Sequence, residues 1–106
     1  MPELYDDPFS DGATEIWEYL KSKYKMGDTT RGTVVHQAPY GVFLDAGLGF
    51  HVLLEVPEFE HAEMKRFIFP DDYPRLGTVI EANLTVFQEN GRQIYVTQRF
   101  GQLHRK

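Results

Sequence analysis

Residues Thr33 to Val56 hold three short β-prone runs separated by two turn signals, Ala38-Pro39-Tyr40-Gly41 and Gly47-Leu48-Gly49. That spacing predicts an antiparallel meander of three strands. In the middle run, Val42 and Leu44 alternate with Gly41, Phe43 and Asp45. With Val42 and Leu44 facing a core, Phe43 stands on the outer face, between a residue without a side chain and a carboxylate. Packing alone gives no reason for a large aromatic there. On a β surface such a ring is a platform on which a nucleic-acid base can stack.

The rest of the chain limits what surrounds this meander. A length of 106 residues with 42% hydrophobic content fits one compact domain with a core of its own. There are no cysteines, which excludes disulfides and thiolate metal sites. No apolar run reaches membrane-spanning length, and the start, Met1-Pro-Glu-Leu-Tyr-Asp-Asp, lacks the basic and apolar regions of a signal peptide. A cytoplasmic protein without membrane contact is the expectation. The net charge of -5 is the wrong sign for tight nonspecific binding to duplex DNA. Residues 1–27 carry six acids and three lysines, so more than half of the excess lies outside the meander. The four histidines have no metal-ligand spacing, and no phosphate loop or nucleophile motif is present. No enzyme activity, cofactor or metal is expected.

In chain order, residues 1–26 form an acidic extension in which Ala13, Ile16, Trp17, Leu20 and Tyr24 recur at helical spacing. Asp11 or Thr14 can cap that helix and Met26-Gly27-Asp28 ends it. Trp17 reads as the anchor that fixes the helix to the rest of the domain. After the meander, Pro57 to Phe67 is expected to form a short helix, its acids early and Lys65 and Arg66 late. Phe67, Ile68 and Phe69 are then expected to plug one end of a barrel. From Thr78 to Gln88 the apolar residues Ile80, Ala82, Leu84 and Val86 alternate with polar ones, and Ile94 and Val96 continue that face. The turn Glu89-Asn90-Gly91 allows two registers. A two-residue loop pairs Phe87 with Ile94 and Val86 with Tyr95, which mixes the faces. A three-residue loop with Gly91 left-handed pairs Val86 with Ile94 and Leu84 with Val96, and is preferred.

Five strands with a helical segment between the third and fourth describe an all-β, five-stranded Greek-key barrel, the OB-fold, here with an N-terminal helix. From about Gly27 to Arg99 the sequence resembles the S1 RNA-binding domain. The carriers are Gly27-Asp28, Gly32-Thr-Val34, Pro39-Tyr-Gly-Val-Phe-Leu-Asp45, Gly47-Leu-Gly49, Leu53-Leu54, Gly77-Thr-Val79 and Asn90-Gly-Arg-Gln-Ile94. Their ordered spacing, more than any one of them, makes the match. It divides the chain into the extension 1–26, a barrel 27–100 and a C-terminal tail 101–106.

The resemblance implies single-stranded RNA as partner, in translation or RNA metabolism, bound on a face of aromatic and basic side chains. Tyr40 and Phe43 fall where the family stacks bases, and Arg92 where it has an arginine after the glycine of the last hairpin. Glu55 stands in place of the family's third-strand histidine and Gln88 in place of an aspartate. His51, of the same strand parity as Glu55, is a partial substitute, and Arg31 and Arg99 are further cations. The alternative is a protein-interaction module with weakened RNA affinity, meeting a partner through the N-terminal extension or residues 67–73.

Overall fold

A computed structural model describes residues 4–100; the expected tail 101–106 lies outside them. The elements run α1 (Asp11–Lys23), β1 (Thr29–Ala38), β2 (Gly41–Asp45), β3 (Val52–Glu55), a 3-10 turn (Val56–Glu58), β4 (Val79–Gln88) and β5 (Gln93–Thr97). The strands close into a barrel in the order β1-β2-β3-β5-β4, with β3 and β5 parallel and the other pairs antiparallel. This arrangement is consistent with the OB-fold. The expected alternation fills its interior: Val34, Val42, Leu44, Val52, Leu54, Ile80, Ala82, Leu84, Ile94 and Val96 are all buried.

Helix α1 covers one end of the barrel. Ser10, rather than Asp11 or Thr14, is its N-cap, with the side chain accepting from the Ala13 amide at 3.2 Å. Ala13, Trp17 and Leu20 are buried, whereas Ile16 faces solvent at 38% exposure, so the packed stripe is narrower than the spacing predicts. Trp17 is fully buried against Phe50 and Phe87, with ring centroids at 4.9 and 5.2 Å. Its indole Nε1 donates to Glu89 at 3.0 Å, and Lys21 reaches the same carboxylate at 2.6 Å. The bonds from Lys21 and Trp17 hold the Glu89 carboxyl below its usual range, and the bond to Glu89 raises Lys21. No helix among the described residues is long and apolar enough to cross a membrane.

The helix expected over Pro57 to Phe67 does not form. One 3-10 turn gives way to turns, and His61 adopts a left-handed φ of 66° that a helix cannot contain. The end of β5 takes the polar groups of this segment. The Glu58 carbonyl accepts from the Gln98 amide, the Glu60 amide donates to Gln98 Oε1, and Thr97 donates to the Glu58 carboxylate. The barrel end is plugged by Phe59, Phe67 and Tyr73, with Phe59 at 5.0 and 5.2 Å from the other two rings. Ile68 and Phe69 were expected in that plug but are exposed at 62% and 42%.

The β4–β5 hairpin combines both readings of its register. Next to the turn, Val86 pairs with Tyr95, Phe87 with Ile94 and Gln88 with Gln93. Beyond an irregularity between Leu84 and Val86, Leu84 pairs with Val96. One extra residue resets the alternation. Phe87 therefore packs against the core, and Val86, expected inside, is 48% exposed. The left-handed residue of the turn is Arg92, with φ 52°, not Gly91.

Candidate nucleic-acid interface

The outer face of β1, β2 and β3 carries a cluster of rings centred on Phe43. Its neighbours on β2, Val42 and Leu44, are buried at 0% and 2%, so the half-buried Phe43 ring stands outward as expected. Phe43 pairs with His36 on β1 and with Leu53 on β3. Leu53 is buried but lies apart from the core cluster, on the outer side of its strand. The Phe43 ring meets three others edge-on or tilted: His51 at 5.3 Å, His36 at 5.6 Å and Tyr40 at 6.0 Å.

Local structure fixes each ring. The two-residue turn Pro39-Tyr40 is held by Tyr73, whose hydroxyl donates to the Pro39 carbonyl, and by the Val56 amide, which donates to the Tyr40 carbonyl. Tyr40 remains 55% exposed. The turn demands Gly41, because a Cβ there would lie 2.4 Å from the Leu54 carbonyl oxygen and 2.8 Å from Glu55 Cα. His51 is held at the backbone by the Ile94 amide, 2.8 Å from its carbonyl. Together with Leu4, Val35, Leu44, Asp45 and Gln93, the four rings line an open groove of about 760 Å³.

His36 was not anticipated. Strict alternation from the buried Val34 turns Val35 out and His36 in. The irregularity between Val34 and His36 leaves both exposed and sets His36 beside Phe43. The pattern of β-prone residues carries no signal for such a bulge.

None of the three arginines expected at the site lines this groove, and each holds another partner. Arg92 turns toward the N-terminal segment: Nη1 donates to the Pro8 carbonyl at 3.0 Å and to Thr14 Oγ1 at 2.6 Å. Its guanidinium also lies 4.6 Å from the Phe9 ring centroid. Arg99 donates to the Pro57 carbonyl and pairs with Glu63, both at 2.9 Å, and so ties down the segment after β3. Arg31 is exposed on β1 but faces Glu81 at 3.3 Å, on the side toward β4. Arg92 and Arg99 are thus structural ties, diverted by partners distant in sequence. Glu55 sits at the end of β3 opposite Gly41, next to Tyr40. The Gln88 side chain accepts from the Gly91 amide at 2.7 Å and is used in shaping the hairpin.

No protein-family model matches the chain. Small ribosomal subunit protein bS1 of Chlamydia trachomatis is 28% identical over 78 residues, which cover 74% of this chain and 13% of that relative. The solution structure of GSP13 from Bacillus subtilis aligns with a TM-score of 0.59 at 18% identity, over 78% of this chain and 62% of that one. Mycoplasma genitalium RNase R, in complex with ribose methylated single-stranded RNA, aligns with a TM-score of 0.54 at 20% identity, over 82% of this chain and 14% of that one. At these identities the structural likeness establishes the barrel alone. The bS1 match over 74% of the chain, together with a closed five-stranded barrel, makes this chain similar to S1 RNA-binding domains over the barrel.

Proposed function

We propose that this protein binds single-stranded RNA, with Phe43 and Tyr40 as stacking platforms and His51 and His36 at their edges. The observation that carries this reading is the Phe43 ring itself. It stands outside a barrel whose core is complete without it and is surrounded by three further rings. Single strands suit such a face because their bases can be splayed and stacked, whereas paired bases cannot. The likeness to bS1 and to an RNase R seen with single-stranded RNA supports the same ligand class. The role is binding, not catalysis.

The deciding experiment is a titration with short single-stranded oligonucleotides, followed by fluorescence anisotropy and amide chemical shifts. Phe43→Ala should weaken binding by about 1–3 kcal/mol, the usual loss for one base–aromatic stack, and leave the fold intact. The shifts in the unmutated protein should centre on Tyr40, Phe43 and His51. If they centre elsewhere, or if Phe43→Ala binds as well as the parent, the reading fails.

A protein-interaction role is the second reading, and one observation favours it. Met64, Ile68 and Leu76, in and around the connector after β3, expose 82%, 62% and 63% of their surface. The N-terminal segment is a weaker candidate for a partner, because Tyr5, Pro8 and Phe9 are already engaged by the barrel and Arg92. A domain of this kind would show no RNA binding before or after Phe43→Ala.

A further inference from the structure

We infer that His36 and His51 provide the positive charge that meets the RNA backbone in this groove, so that RNA binding is coupled to proton uptake. The inference rests on the proposed RNA function and adds the residues that read phosphate.

Among the described residues lining the groove there is no lysine or arginine, and the one carboxylate is Asp45. The expected arginines are committed elsewhere: Arg92 to Pro8 and Thr14, Arg99 to Pro57 and Glu63, Arg31 to Glu81. A groove that stacks bases but lacks a permanent cation, on a chain of net charge -5, repels the backbone its bases bring with them. Two imidazoles flank the stacking ring, His36 on β1 and His51 just before β3, both on exposed residues. Imidazole is the side chain that changes charge between about pH 5 and 8, and as imidazolium it donates from both nitrogens. The charged groups that face this pair are Asp45 from β2, and Asp6 and Arg92, which share a hollow with His51. Arg92 has its guanidinium turned to the Pro8 carbonyl.

The test is anisotropy with a labelled oligouridylate at fixed ionic strength, from about pH 5.5 to 8, since uracil itself neither gains nor loses a proton in this range. The full chain should bind about tenfold tighter at the acidic end. The dependence of affinity on salt should also steepen there, by roughly 0.7 in log–log slope for each protonated imidazole that meets a phosphate. His36→Gln and His51→Gln should each remove part of the pH dependence, and the double variant should bind at every pH as the parent does near pH 8. His61→Gln, on the connector beside Glu60, should behave as the parent. Affinity that is flat across the range, or a double variant that keeps the parent's pH slope, overturns this inference and leaves the RNA reading standing. No binding at any pH overturns both.

Discussion

At the scale of single residues, Phe43 and Gly41 show how closely the proposed site and the fold are interleaved on β2. Phe43 is free to serve a ligand because Val42 and Leu44 have taken the core. Gly41 is not free at all: the backbone of β3 occupies the space a methyl group would need. Gly41→Ala must therefore push β2 and β3 apart or break the Gly41–Glu55 pairing, with a cost of about 1–3 kcal/mol. Its midpoint in urea should fall accordingly, and the Tyr40 and Phe43 amide resonances should shift. A variant as stable as the parent would show that the two strands are not held at this separation. Much of this was legible in the sequence, since the outward Phe43 and the turn at Gly41 follow from alternation and turn chemistry. His36 was not, because its exposure depends on a bulge. Nor was Arg92, whose direction is set by Pro8, Phe9 and Thr14, about eighty positions away.

At the scale of elements, the strands could be read and the segment after β3 could not. Most strands announce themselves through a buried face of period two, β3 through three successive buried residues, and five such runs leave few ways to close. The 57–67 segment has helix-like charge order, yet its structure is decided by bonds to Thr97 and Gln98 and by the Phe59 ring, which no local window contains. Helix α1 lies between these cases. Its existence was legible; which side of its stripe is packed depends on Phe50, Phe87 and Glu89. Two substitutions on adjacent turns separate the sides. Leu20→Lys buries an ammonium in an apolar contact and should cost more than about 2 kcal/mol, lowering Tm by roughly 10 °C or more. Ile16→Lys, on the solvent side, should stay within about 0.5 kcal/mol of the parent. Equal losses for both, measured by thermal unfolding, would mean that α1 is rotated from the orientation described.

At the scale of the whole molecule, the proposed RNA-binding cluster lies in a field of the wrong sign for a polyanion. The chain carries 16 acids against 11 lysines and arginines. Glu55 is the acid whose position matters most, because it ends β3 opposite Gly41 and beside Tyr40, where the resemblance to S1 domains expects a histidine. A carboxylate there can accept from a base amino group, but it repels every phosphate that approaches. Glu55→Gln removes the charge and keeps the shape, so any gain in RNA affinity is electrostatic. Glu55→His removes the same charge and adds a ring that can stack. At low ionic strength Glu55→Gln should bind a single strand a few-fold more tightly, and the gain should shrink as salt shortens the reach of the charge to about 10 Å at 0.1 M. Glu55→His should keep part of its advantage at high salt, since stacking is not screened. The double change Glu55→Gln with Phe43→Ala discriminates further: a carboxylate that acts through the field alone leaves the loss from Phe43→Ala undiminished. If Glu55→Gln weakens binding instead, the carboxylate is a ligand to the base, and the acid at the end of β3 helps to select the RNA.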